Sequence, residues 1–309
     1  MAFHGGQRKH RVTRDDIAFD AEGITLRGWL FRPHNQNKPA PAIVLTHGWN
    51  CLKEFYLDKY AEVFCQAGFV VLAYDNRNFG DSDGLPRQEI DPWQQVRDYR
   101  HAISFLQTHS FVDQNRIGIW GTSYSGGHVM VVAALDKRVK AVVSQVPTIS
   151  GWEGMLRRIL PGQWAQQRAL FEQDRLQRYQ GQPPMMINTV SDPNEPNDAS
   201  HQSTDAWYFF TGKDAPDADA WRFKNWRKDI TLRSFEMYRE YEPGSYLSRV
   251  SPTPFLMQVA ENDVVAVTDE ALRAFNNDAR EIKKLTLFKG GHFSAYIEQF
   301  DLLSSEACQ

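Results

Sequence analysis

Short apolar runs alternate with amphipathic stretches along the first half of the chain. Residues 16–20 and 24–31 read as two strands around the turn Glu22-Gly23. Residues 42–46 form a short buried strand. Residues 53–67 show helical periodicity that stops at Gly68. Residues 69–74 are apolar throughout, the mark of a strand buried on both faces. A second helix spans 92–108, with Asp91 as N-cap and Pro92 in its first turn. A strand over 116–120, a helix over 124–135 and a strand over 139–145 follow. This order predicts the α/β class with a mostly parallel, doubly wound sheet. The two opening strands, joined by a tight turn, predict an antiparallel edge.

The pattern breaks between 151 and 247. That stretch holds Trp- and Arg-rich helical segments and a polar, Pro-rich loop over 183–203, with no clear parallel strand. Alternation resumes with a strand over 255–260, a helix over 268–277, a strand over 284–288 and a final helix after His292. Residues 1–147 and 248–309 therefore read as the sheet domain, and 148–247 as an inserted helical cap. No internal repeat interrupts this scheme.

Composition narrows the picture. The chain has 309 residues, enough for one large domain with an insertion and a sizeable core. A net charge of −3 and a pI near 6.3 argue against a nucleic-acid partner. The basic stretch 7–14 reads as a solvated tail. The longest apolar runs, 69–73 and 129–135, are too short for a membrane span, and the N-terminus has no apolar signal region. Residues 307–309 match no known targeting tripeptide. Cys51, Cys65 and Cys308 are sparse and odd in number, which predicts no disulfide framework, a reducing compartment and a cytoplasmic location. Nothing has metal-ligand spacing or P-loop order, so no metal and no cofactor are expected.

The chemistry centres on Gly121-Thr-Ser123-Tyr-Ser125-Gly126. It falls between a buried strand and a helix, the context of a nucleophile elbow. Such a turn demands small residues two positions either side of the serine. Gly121 fits, and Ser125 stands where a second glycine is usual. Ser123 is the candidate nucleophile, and it needs a base within hydrogen-bond reach.

Nine histidines compete for that role. His4 and His10 lie in the tail, His101 and His109 on a solvent-facing helix, and His128 on the elbow helix pointing away. His292, in Lys289-Gly290-Gly291-His292-Phe293, follows the last strand, where glycines free the loop to carry an imidazole over the sheet edge. Asp263 follows the strand 255–260 and is favoured as the acid over Glu261 and, more distantly, Asp269; strand 139–145 ends in Val146-Pro147 without a carboxylate. The order Ser, acid, His matches the elbow chemistry. Two backbone N–H groups should receive an oxyanion: that of Tyr124, and that of Trp49 in His47-Gly48-Trp49-Asn50. His47 reads as a structural hydrogen-bonder. In the loop 74–84, Arg77 is expected to pair with Asp75 or Asp81 beneath the site.

Together these segments resemble the α/β-hydrolase superfamily, over nearly the whole chain outside the cap. Within it the chain is similar to the dienelactone-hydrolase-related group that includes fungal polyketide transferases and thiohydrolases. The resemblance implies acyl transfer through an acyl-enzyme, to water or to an alcohol, with a small-molecule acyl substrate. Dienelactone hydrolases use cysteine, so their particular reaction does not carry over to Ser123. Serine in place of aspartate at the elbow also argues against dehalogenase and epoxide-hydrolase chemistry.

Substrate is less legible. The cap holds Trp152, Trp164, Trp207, Tyr208, Phe209, Phe210, Trp221, Phe223 and Trp226. They form either an aromatic lid over an apolar acyl group, with Trp152 and Trp207 the candidate substrate contacts, or the cap's own core. Arg157, Arg158 and Arg175 could meet an acidic substrate, but a solvated helix face is the plainer reading. A silent binding protein on the same fold is the non-enzymatic alternative. A peptidase lacks support from any propeller-like or peptide-binding signature.

Overall fold

A computed structural model describes residues 11–34, 37–196, 199–213 and 215–309. His4, His10 and half of the basic stretch 7–14 lie outside them. In chain order the elements are β1 (Val12–Ala21), β2 (Ile24–Pro33), β3 (Ala40–Thr46), α1 (Leu57–Gln66), β4 (Val70–Tyr74), α2 (Pro92–Gln107), β5 (Val112–Thr122), α3 (Tyr124–Leu135) and β6 (Val139–Gln145). The middle stretch carries α4 (Gly151–Arg158), α5 (Trp164–Tyr179), β7 (Met186–Val190), β8 (Ala199–His201), α6 (Thr204–Thr211), β9 (Asp229–Thr231) and α7 (Leu232–Arg239). The chain closes with β10 (Phe255–Ala260), α8 (Thr268–Asn277), β11 (Lys283–Phe288) and α9 (Phe300–Ala307).

Eight strands form one sheet in the order β1-β2-β4-β3-β5-β6-β10-β11. β1 and β2 pair antiparallel at the edge, β2 meets β4 antiparallel, and every later pairing is parallel. β3, β4 and the second half of β5 are buried on both faces because helices cover both sides of a parallel sheet. Asp91 caps α2 through the N–H groups of Trp93 and Gln94, at 2.9 and 3.1 Å.

Several expectations change. Helix α1 starts at Leu57, because residues 53–56 form a turn in which Tyr56 takes a left-handed conformation (φ 67°). Val12, Thr13 and Arg14 pair with β2 instead of trailing in solvent. Across residues 148–247 lies a second, three-stranded sheet, β8-β7-β9, in which β7 and β8 run parallel over a few residues. Its strands are three to five residues long, too short to stand out as periodic runs, and two of them fall within or beside the polar stretch 183–203.

Arg77 does not pair with Asp75 or Asp81. It forms a two-pronged bond with Asp98 of α2, at 2.8 Å from Nε and 2.5 Å from Nη2, and Nη2 also donates to the Ala21 carbonyl at 3.1 Å. Asp75 and Asp81 instead hold the Lys53 ammonium at 2.7 and 2.6 Å, with Glu54 at 2.9 Å. Burial raises the demand for a nearby counter-charge, and Lys53 is closer in space though farther in sequence. Those three acids could crowd a metal ion, but the lysine ammonium sits among them.

The Arg77–Asp98 pair is sealed, with side-chain exposures of 7% and 0%. Removing one member of such a pair strands the other charge. Arg77→Met is therefore expected to destabilise the fold by about 3–5 kcal/mol, while Arg77→Met with Asp98→Leu recovers most of the loss. Urea unfolding of both variants reads this out. A loss below about 1 kcal/mol for the single variant would show that water screens the pair.

Candidate active site

Strand β5 ends at Thr122 and helix α3 begins at Tyr124, so Ser123 is the whole turn. Its φ of 58° and ψ of −119° lie outside the regions that L-residues favour. The backbone around it compensates. Ser123 N–H donates to the Gln145 carbonyl at 2.8 Å, and Thr148 N–H donates to the Ser123 carbonyl at 3.0 Å. The turn is as tight as the motif requires, since a Cβ on Gly121 would fall 2.2 Å from the Ser125 carbonyl oxygen. Ser125 is buried and its hydroxyl has work of its own. It donates to the His47 carbonyl and lies 2.8 Å from Thr46 Oγ1, tying α3 to the loop after β3.

His292 arrives on the turn after β11, where Gly290 adopts φ 109°. Its Nε2 lies 2.9 Å from Ser123 Oγ and its Nδ1 lies 2.7 Å from Asp263 Oδ2. Both His292 and Asp263 are buried. The second carboxylate oxygen of Asp263 accepts from the N–H groups of Val265 and Ala266, each at 2.8 Å. Asp263 N–H in turn donates to Thr268 Oγ1, whose hydroxyl donates to the Ala260 carbonyl, at 3.0 and 2.7 Å. The acid loop is thus closed on itself, and the carboxylate has one orientation. Glu261 is exposed, and Asp269 pairs with Arg157 at 2.7 Å. Neither meets the histidine.

The loop carrying Trp49 presses on the elbow. A Cβ on Gly48 would fall 2.7 Å from Ser123 Cβ and 2.8 Å from Tyr124 N, so only glycine lets the two backbones approach. Tyr124 is the first residue of α3, and its N–H has no acceptor within the helix. His47 is buried and held by the Phe55 carbonyl. Burial pushes its pKa down to about 4, partly offset by that carbonyl. His128 is buried between Tyr241 and Gln95, at 3.0 and 2.9 Å, away from Ser123.

A cavity of about 680 Å³ opens between α4, α5 and the small sheet. It is the right size for a small molecule. One wall is Ser200-His201, and Ser200 Oγ accepts from the Trp49 indole N–H at 3.0 Å. Another is Val264-Val265, the residues directly after Asp263. The cavity therefore adjoins the loops that carry Trp49 and Asp263, although Ser123 is not on its lining.

Trp152 and Trp207 are not on that lining either. Trp152 is half-exposed and packs on Trp164 with ring centres 5.8 Å apart, while Trp207 lies under the Lys213 ammonium at 4.7 Å. The other cap aromatics also turn elsewhere. Phe209 stacks on Phe293 at 4.3 Å, and Phe210, Phe223 and Trp226 surround Phe55. They join the cap to the loops after β3 and β11. These rings pack, but against Phe55 and Phe293 of the sheet domain as well as among themselves, so they are not simply the cap's own core. Arg158, one of the three arginines weighed for an acidic substrate, forms a wall together with Ser200, His201 and Val265, which the sequence left unmarked. They belong to no motif, and only the tertiary fold gathers them.

Among the described residues no helix is long and apolar enough to cross a membrane. Comparison with known proteins agrees with the fold and extends it. The family model for X-Pro dipeptidyl-peptidase (S15 family) matches residues 22–294. A thiohydrolase of Eupenicillium brefeldianum is 33% identical over 284 residues, covering 90% of this chain and 87% of that protein. A polyketide transferase of Stachybotrys chlorohalonatus is 32% identical over 268 residues, covering 86% and 85%. The crystal structure of the α/β hydrolase GrgF from Penicillium sp. superposes with a TM-score of 0.80 at 27% identity, covering 96% of each chain. The chain therefore belongs to the X-Pro dipeptidyl-peptidase (S15) family, with the α/β-hydrolase fold and relatives named as thiohydrolases and polyketide transferases.

Proposed function

We propose that this protein is a serine hydrolase that cleaves a thioester or ester of a small acyl substrate through an acyl-enzyme on Ser123. The observation that carries the reading is the unbroken hydrogen-bond chain Ser123–His292–Asp263 at 2.9 and 2.7 Å, built on a strained elbow. In this reading Ser123 Oγ attacks the acyl carbon while His292 Nε2 takes its proton. Asp263 stabilises the imidazolium and fixes its tautomer. The Tyr124 and Trp49 N–H groups receive the oxyanion as it develops. Collapse of the tetrahedral intermediate breaks the bond to sulfur or oxygen, and His292 returns the proton to the leaving group. Water then repeats the sequence on the acyl-enzyme. Residues 148–247 act as the cap over this site.

The relative named as a polyketide transferase supports a second reading, in which an alcohol takes the acyl group in place of water. The same acyl-enzyme serves both. A simple acyl thioester, quenched in acid during turnover, should leave the acyl mass on the peptide that contains Ser123. Turnover without that adduct, or with the label on another residue, rejects the covalent serine mechanism. Adding an alcohol acceptor separates the two readings, because free acid as the sole product in every case rejects transfer.

A further inference from the structure

The cavity that adjoins the Asp263 loop is built around one uncompensated positive charge. Its lining has three charged residues, Arg157, Arg158 and Asp229. Arg157 is neutralised by α8, with both Nη atoms on Asp269 and Nε 3.0 Å from Glu270. Asp229 is held by Arg227 in a two-pronged bond at 2.7 and 3.1 Å. Arg158 has no carboxylate partner among the described residues. Arg175, the third arginine singled out in the sequence, pairs with Glu236 outside the cavity.

Arg158 is nevertheless held in place. Its guanidinium lies over the Tyr238 ring, 5.1 Å from the centroid, and Nη2 donates to the Val265 carbonyl at 2.7 Å. One of five N–H donors is thus engaged, and the rest of a rigid planar fork remains. Nearby polar groups on the lining are also unspent. Ser203 Oγ is buried with no partner among the described residues. His201, 7% exposed, has its Nδ1 3.1 Å from Ser200 Oγ, whose own proton points to the Thr189 carbonyl at 3.0 Å. His201 therefore presents Nδ1 as a donor to the Ser200 hydroxyl. Burial, with the nearby charges of Arg158 and His292, holds its pKa well below the ordinary histidine range, so it adds no charge. Leu170, Ile187, Leu232 and Phe235 supply the apolar remainder of the lining.

We infer that the cavity receives an acyl chain bearing a carboxylate remote from the scissile bond, with Arg158 as its counter-ion. This rests on the acyl-enzyme reading and names the substrate class for it. A half-buried arginine fork facing an otherwise neutral, partly apolar pocket favours a planar two-oxygen anion over a methyl terminus.

The test uses monothioesters of adipic and suberic acid against hexanoyl and octanoyl thioesters of the same thiol. Wild type should turn over the carboxyl-ended member of each pair with at least tenfold higher kcat/KM. In Arg158→Gln that ratio should fall by tenfold or more, through KM more than kcat, and Arg158→Lys should recover part of it. An equal kcat/KM for both members in wild type, or a ratio unmoved by Arg158→Gln, overturns the inference. A separate arm does not depend on the chemistry. Calorimetric titration of folded Ser123→Ala with free suberate and with octanol should show suberate binding that weakens tenfold when Arg158→Gln is added. If no thioester is cleaved, the proposed activity fails and this arm still decides the pocket: suberate binding indifferent to Arg158→Gln overturns it.

Discussion

Asp263→Asn should lower kcat/KM by about 10³- to 10⁴-fold while the protein stays folded. The reason is local and geometric. One carboxylate oxygen accepts from Val265 and Ala266 N–H, and the other faces His292 Nδ1. An asparagine must put its carbonyl oxygen toward the two backbone donors, because its NH₂ group would confront them. Its NH₂ then points at His292 Nδ1, which can only accept. The proton is forced onto Nε2, the atom that must take the proton of Ser123. The variant thus keeps the shape and loses the base. Glu261→Gln, which removes an exposed carboxylate two residues away, should leave kcat/KM within about twofold. Steady-state kinetics on one acyl thioester compares the two. Comparable losses in both would mean that the acid was misidentified.

Ser123→Ala carries the larger effect on turnover, a loss on the order of 10⁶-fold, since the attacking oxygen is gone. A companion substitution separates chemistry from fold. Ser123 is held at φ 58°, ψ −119°, a conformation that costs on the order of 1–3 kcal/mol for a residue with a Cβ. Alanine keeps that strain and glycine relieves it. Ser123→Gly should therefore be as inactive as Ser123→Ala but melt at an equal or higher temperature. Activity surviving in either variant rejects Ser123 as nucleophile. A Ser123→Gly that melts well below Ser123→Ala would show instead that the elbow is not strained.

The parallel sheet was readable because its signals are local. β3, β4 and β6 are short and rich in Ala and Val, each ends at a turn, and helices with caps or glycine stops separate them. The Ser123 constellation was readable for a related reason. A nucleophile elbow needs small residues at fixed offsets, and the acid and base sit at strand ends in a fixed chain order, so spacing carries the information. Ser125, by contrast, looked like a weak substitute for glycine. Only the close approach of the loop after β3 shows its hydroxyl bonded to the His47 carbonyl.

The chain by itself determined the class of fold, the elbow and the candidate groups Ser123, Asp263 and His292, because each rests on patterns within a few residues. The tertiary structure decided what depends on charges and surfaces meeting across long sequence separations. Arg77 turned to Asp98, and Lys53 took Asp75 and Asp81, because a buried charge takes whichever partner the packing brings near. The cap aromatics went to packing, with Phe209 on Phe293 and Phe210 beside Phe55. Of three similar arginines, α8 neutralised Arg157 and α7 neutralised Arg175, which left Arg158 facing the cavity. Nothing within a few residues of Arg158 distinguishes it, because what sets it apart is the absence of an acid that would have to arrive from elsewhere in the chain.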